Sequence, residues 1–355
     1  MSTDTSPWPR LAELALVIES YELQTLRAAP VGGIDRATTR IRLLGLGADG
    51  DGEDISRFFD EGDAQLAAGP SLPLTGEWTL GGFCEHLATL ELWAQAPEWE
   101  AARLYRNWAY ESAALDLALR QAGRPLHDVL GREARPLRFV TSLGLGDPPS
   151  IEALRRRLAH YPGLRLKLDA SADWTPELIE QIAAADVVDT IDFKGCYGIE
   201  VKDEGALERM YERVLDAFPG AILEDPHDLP AITERVAPHA ARVSYDAPVH
   251  CAEDLASTAI SPGTVNVKPS RTGGLRALMG LYAHCEAHGL GMYGGGMGEL
   301  GAGRHQIQLL ASIFHPDAPN DVAPTPFNED DVPPGLPTSP LDPRPAPAGF
   351  RRLPS

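Results

Sequence analysis

The chain has 355 residues, 43% of them apolar and 23% charged, which is the balance of a globular protein with a sizeable core. Its formal net charge of −20 argues against nucleic acid or an anionic lipid surface as the main partner. No apolar run approaches the ~18 residues of a membrane span, so no membrane association is expected.

The N-terminal MSTDTSPWPRLAEL has neither a basic n-region nor an apolar h-region, and the expected location is the cytoplasm. Residues 1–130 form a first unit. RATTRIRLLGLG (36–47) has the character of a strand, and the acidic ADGDGEDI after it that of a turn-rich loop. GLGADG (45–50) matches a dinucleotide-binding glycine pattern, but the acidic residues that follow would repel a pyrophosphate, so a glycine-rich hairpin turn is the better reading. A calcium loop is excluded too, because Asp54 stands where its sixth-position glycine is needed. EWEAARLYRNWAYESAALDLALRQAG then shows helical spacing up to a terminal glycine. Cys84, Cys196, Cys251 and Cys285 form no C-x-x-C pair, which leaves no zinc ribbon and no disulfide framework.

From about residue 137 short apolar strands alternate with amphipathic helices: RFVTSLGLG, LRLKLDA, DTIDFKG, AILEDP, ARVSYDA, TVNVKPS and GMYGGG each precede a helical stretch. Seven or eight such units over about 190 residues predict parallel strands closed into a barrel. The expected organisation is therefore an α+β capping domain (1–130), a barrel (131–327), and a Pro-rich tail (328–355) packed on the cap or extended.

Strand side chains alternate, so parity sorts the charges onto faces. Arg165, Lys167 and Asp169 share one face of LRLKLDA; Asp192 and Lys194 share one face of TIDFKG. Glu224, then Ser244 with Asp246, then Asn266 with Lys268 occupy the corresponding faces of the next three strands. Each of five consecutive strands thus carries an ionisable residue near its C-terminal end, the rim on which barrel active sites are built. Asp192, Glu224 and Asp246 cannot all sit ionised and partly buried without a cation, and hard oxygen donors favour Mg²⁺, with Mn²⁺ a possible substitute. Beside such a cation Lys167 and Lys268 are expected to have lowered pKa values and to serve as bases. Metal with a lysine on each flank suits removal of a proton α to a carboxylate.

This order of Arg165-x-Lys167, Asp192, Glu224, Asp246 and Lys268 resembles the enolase superfamily, in its muconate-lactonizing-enzyme-like and mandelate racemase-type branch. YESAALDLALRQAGRPLHDVLG (110–131) resembles that family's cap-to-barrel segment; VNVKPSRTGGL and YGGGMGELGAGR resemble its sixth- and seventh-strand segments. The resemblance implies a (β/α)₇β TIM-like barrel under an N-terminal α+β cap. It implies Mg²⁺ on Asp192, Glu224 and Asp246, and acid–base roles for Lys167 and Lys268. It also implies a small carboxylate substrate, a racemase, epimerase or cycloisomerase activity, and a homo-oligomer. A syn-dehydratase on the same scaffold, or a Schiff-base lyase or aldolase using Lys268, is the alternative.

The chain departs from the family pattern in three places. Arg165 replaces the first lysine, Lys194 stands where the usual Asp-x-Asn-Gly has its asparagine, and Ala247 follows Asp246 where a Glu is common. Arg165 and Lys194 are expected to bind an anionic substrate, together with Asn266 and Glu299.

Overall fold

The structure, a computed structural model, describes residues 6–31, 34–56 and 61–353. Its N-terminal part is β-rich. Ala15–Ile18 (β1) pairs with a later strand, while Ser20–Val31 (β2), Ile34–Gly45 (β3) and Ala48–Asp54 (β4) form an antiparallel meander. Gly76–Thr79 (β5) is the antiparallel partner of β1. The β3–β4 hairpin turns through Leu46 and Gly47, both at positive φ, and Gly45 pairs with Ala48, so GLGADG is indeed a hairpin turn.

The acidic stretch expected as a loop is instead β4. Its glycines explain this. A Cβ on Gly50 would lie 2.3 Å from the Ala113 carbonyl oxygen, and one on Gly52 1.9 Å from that of Ala109. The strand therefore lies directly against the helix Ala102–Gln121, which only a bare backbone permits. Its acids find cations: Asp51 takes both Arg40 nitrogens (2.8 and 2.9 Å), and Asp49 pairs with Arg120 at 2.7 Å. Glu53 accepts from Thr38 and from the backbone N–H groups of Leu300, Gly301 and Gly303.

The second part is a TIM-like (β/α)₇β barrel with that N-terminal domain as its cap. Seven parallel strands follow one another in sequence order: Thr141–Leu143 (β6), Leu166–Asp169 (β7), Val188–Asp192 (β8), Ile222–Glu224 (β9), Val243–Tyr245 (β10), Thr264–Val267 (β11) and Gly291–Gly294 (β12). Helices such as Pro176–Ala184, Glu204–Ala217 and Leu275–His288 connect them, as parallel pairing requires. The eighth position is filled by Asn320 and Asp321, which bridge in parallel to Phe139 on one side and Gly295 on the other. The Val140 N–H donates to the Asn320 carbonyl (2.8 Å), and the Asp321 N–H to that of Gly294 (2.8 Å). Strand parity divides the barrel cleanly. Leu166, Leu168, Ile191, Leu223, Val243, Val265 and Val267 are buried in the apolar core, whereas the buried polar residues Lys167, Thr190, Asp192, Glu224, Ser244 and Asn266 alternate with them. No helix among the described residues is long and apolar enough to cross a membrane.

Candidate active site

The carboxylates of three adjacent strand ends meet the lysines of the second and sixth barrel strands. Asp192, Glu224 and Asp246 are fully buried, and Lys167 and Lys268 retain only 2% and 7% exposure. Lys167 Nζ lies 2.5 Å from Glu224 Oε1, 3.0 Å from Asp192 Oδ2 and 3.7 Å from Asp321 Oδ2. Lys268 Nζ donates to Asp246 Oδ2 at 2.6 Å, and Arg271 Nε stands 3.2 Å from Asp246 Oδ1. In a ring of eight strands the second and sixth face each other, so the two ammonium groups come from opposite walls.

Other polar groups complete the centre. Asn266 gives its Nδ2 to Glu224 Oε1 (3.2 Å), while its buried Oδ1 has no hydrogen-bond partner among the described residues. Tyr293 donates to Glu224 Oε2 at 2.5 Å and shares a hydrogen bond with Ser244. Tyr197 donates to Asp246 Oδ2 at 3.0 Å. Asp225 accepts the backbone N–H groups of Asp246 (2.7 Å) and Ala247 (3.0 Å), which fixes the turn carrying Asp246. Sequence reasoning missed Tyr197, Asp225, Arg271, Tyr293 and Asp321. Parity could have found Tyr293, which is paired in register with Asn266, but Tyr197 arrives on a loop and Arg271 on the one-turn helix Pro269–Thr272, whose paths no strand-spacing rule specifies.

Two expected substrate contacts are engaged by partners of their own. Arg165 binds Asp189 at 2.6 and 3.1 Å and also donates to the Asp186 carbonyl, all at the N-terminal end of β8. The cause is position along the strand: Arg165 precedes Leu166, the first residue of β7, and so emerges at the opposite end of the barrel from Asp169 and Asp192. Glu299 is buried but turned to Arg304 (3.3 Å) and to the Met297 N–H (3.0 Å), with Gly296 packed against it. Lys194, by contrast, is in the site. It donates both its backbone N–H (3.0 Å) and its ammonium to Asp192, and its Nζ lies 3.2 Å from Asp169 Oδ1.

Charge and burial set the protonation. Burial would lower Lys167, but Glu224, Asp192 and Asp321 override it and hold the ammonium well above its ordinary pKa. The lowered lysine pKa expected from the sequence is therefore not what these contacts produce, because carboxylates touch Lys167 directly. Burial, joined by Asp192 and Asp246, pushes Glu224 up to about 8 against the pull of Lys167 and Lys268. Burial would also raise Asp246, yet Lys268 and Arg271 hold it below the usual carboxylate range.

The donors fit a hard divalent cation in type: three carboxylates from neighbouring strands, one with its Oδ1 lacking a well-aligned hydrogen bond. They do not fit it in their present spacing. Among the described residues no three acidic or imidazole groups stand close enough to share an ion, since lysine ammonium groups lie between them.

Two family models match this chain: the N-terminal domain described as "Domain of unknown function (DUF8230)" over residues 9–129, and the C-terminal domain of the same description over 133–329. An N-succinylamino acid racemase from Thermus thermophilus is 29% identical over 221 residues, covering 60% of this chain and 58% of that protein. An o-succinylbenzoate synthase from Bacillus subtilis is 27% identical over 221 residues, covering 60% and 57%. The chain thus spans less than two thirds of the curated relatives it matches. A dipeptide epimerase from Methylococcus capsulatus, solved with a Mg ion, superposes with a TM-score of 0.66 at 20% identity, covering 86% of this chain and 90% of that one. At that identity the likeness is one of fold, which is shared with a Listeria innocua protein described as a member of the enolase superfamily (TM-score 0.59, 18% identity, covering 87% of this chain and 86% of that one).

Proposed function

We propose that this chain, which belongs to the DUF8230 family through both of its domains, moves a proton on the carbon α to a carboxylate, using Lys167 and Lys268 as the two acid–base groups. One observation carries the reading: two buried ammonium groups enter one carboxylate-lined centre from opposite barrel walls. A proton removed by one lysine on one face of a planar intermediate can be returned by the other on the opposite face, which inverts the centre. Racemisation or epimerisation is the chemistry that uses both walls, and a racemase and an epimerase are among the proteins this chain resembles. The synthase among the relatives supports a second reading, a lyase on the same lysines.

Asp192, Glu224 and Asp246 would hold Mg²⁺ or Mn²⁺, which when bound supplies positive charge to the substrate carboxylate and to the charge that develops as the proton leaves. The chain's own residues do the rest. Tyr197 and Arg271 hold Asp246 in place beside Lys268, and Asp225 fixes the turn behind it. Asn266 offers its unpaired Oδ1 to the substrate. Without a metal ion the Glu224 and Asp192 carboxylates hold Lys167 as its ammonium, and with those carboxylates turned to an ion Lys167 would be free to accept a proton.

The test is deuterium incorporation at the α-carbon, screened over N-acyl amino acids, dipeptides and other small carboxylates in D₂O. Lys167→Ala is expected to abolish exchange from one stereoisomer and Lys268→Ala from the other, each by about 10²–10⁴-fold. If both variants lose both stereoisomers equally, the two-base reading is wrong. A lyase would instead consume substrate without returning the epimer, and an imine trapped at Lys268 by borohydride would move the protein to Schiff-base chemistry.

A further inference from the structure

We infer that Lys194 is a built-in competitor of the divalent cation at Asp192, an ammonium that must leave one carboxylate oxygen before a metal ion can take it. The inference rests on the proposed role of Asp192 as a metal ligand, and it concerns a position where the chain departs from the Asp-x-Asn-Gly pattern.

Lys194 occupies Asp192 at both oxygens. Its backbone N–H donates to Oδ1 at 3.0 Å, and its Nζ donates to Oδ2. That doubling back of the chain requires a left-handed backbone, and Lys194 has φ +55, a conformation a lysine adopts only when its surroundings impose it. The surroundings do. The Gly195 N–H donates to the Asp225 carbonyl at 2.8 Å, and a Cβ on Gly195 would lie 2.3 Å from the His227 nitrogen, so the backbone on the far side of Lys194 is pinned to the loop after β9. The ammonium is thereby delivered onto Asp192 by a fixed turn.

The side chain, unlike its backbone, has somewhere else to go. It is 32% exposed, while Asp192 is fully buried. Its Nζ already lies 3.2 Å from Asp169 Oδ1 and 5.4 Å from the centre of the Tyr197 ring, two contacts that can hold a cation displaced from Asp192. A divalent ion and the ammonium therefore compete for Asp192 Oδ2, and the free energy of breaking the ion pair is subtracted from that of metal binding. An asparagine at this position would impose no such competition. It also tolerates φ > 0 better than lysine, so Lys194→Asn keeps the turn.

The experiment is titration of the chelator-stripped full chain with Mn²⁺ alone, followed by calorimetry and by the electron paramagnetic resonance of free Mn²⁺. Wild type, Lys194→Asn and Lys194→Arg are compared, with melting curves to confirm folding. Lys194→Asn is expected to bind Mn²⁺ at least about tenfold more tightly, and Lys194→Arg, which keeps the charge, to stay near wild type. Binding by Lys194→Asn that is equal to or weaker than wild type overturns the inference and leaves the metal assignment standing. No binding by either protein overturns the metal assignment itself, and the inference with it.

Discussion

At the scale of single residues, Glu224 governs how the centre responds to pH. Its folded-state pKa of about 8 lies above the ordinary 4.5, so between these values the folded protein binds more protons than the unfolded chain. Stability in the absence of divalent metal should therefore fall as pH rises from about 4.5 to 8, and Glu224→Gln should flatten that slope. Melting temperatures measured across this range in chelator would show it; an unchanged slope in the variant would assign the effect to another group. The sequence already pointed to Asp192, Glu224, Asp246, Lys167 and Lys268, because alternation along short strands is a local rule and each strand keeps it. It misplaced Arg165 because parity gives the face and not the height: Arg165 stands before the first residue of β7, at the N-terminal end, where Asp189 pairs with it. Glu299 lies on a loop that offers no face to count from, and its charge answers Arg304.

At the scale of elements, barrel closure depends on a segment too short to carry a strand signature. Asn320 does the work of an eighth strand with its side chain. Its Oδ1 accepts from the Gly294 N–H (2.7 Å) and from His315 Nδ1 (2.6 Å), and its Nδ2 donates to the carbonyls of Arg138, His315 and Ala318. All of this is buried, so Asn320→Ala leaves several backbone groups without partners and should cost about 3 kcal/mol or more, read from urea denaturation. Asn320→Asp keeps the Oδ1 acceptor but replaces the donor to three carbonyls with a second acceptor in a buried place, and should lose at least as much. The seven strands β6–β12 were legible because each has its own apolar alternation followed by a helix. Of the β2–β3 hairpin only the second strand, within RATTRIRLLGLG, was legible, because β2 is largely exposed and carries no strong periodicity. β4 was missed because acids and glycines are poor strand formers on their own, and its pairing with arginines and with a helix backbone is a tertiary fact.

At the scale of the whole molecule, the two halves are bound together from several directions. The helix Ala102–Gln121 packs β4 on one side, and its Asn107 and Glu111 hold the barrel loop through the Gly273 carbonyl (2.6 Å) and the Leu275 N–H (2.6 Å). The C-terminal tail returns to the same helix. Buried Asp116 accepts from the Phe350 N–H (2.8 Å), from Arg351 Nε (2.5 Å) and from the Asp51 N–H (2.9 Å), while Phe350 meets Trp108 edge to face. Deleting residues 349–355 strips Asp116 of its counter-charge and should destabilise the protein by about 3–5 kcal/mol, with a change in tryptophan fluorescence. Arg351→Gln should reproduce part of the loss, and a truncated chain as stable as the intact one would show the tail to be ornamental. Helix and tail together tie the cap to the barrel and oppose a swing of one against the other. Traffic to the buried lysines is then expected to follow the fast motion of exposed groups beside them, such as Tyr197 on Asp246, over nanoseconds to microseconds, instead of a slow parting of domains.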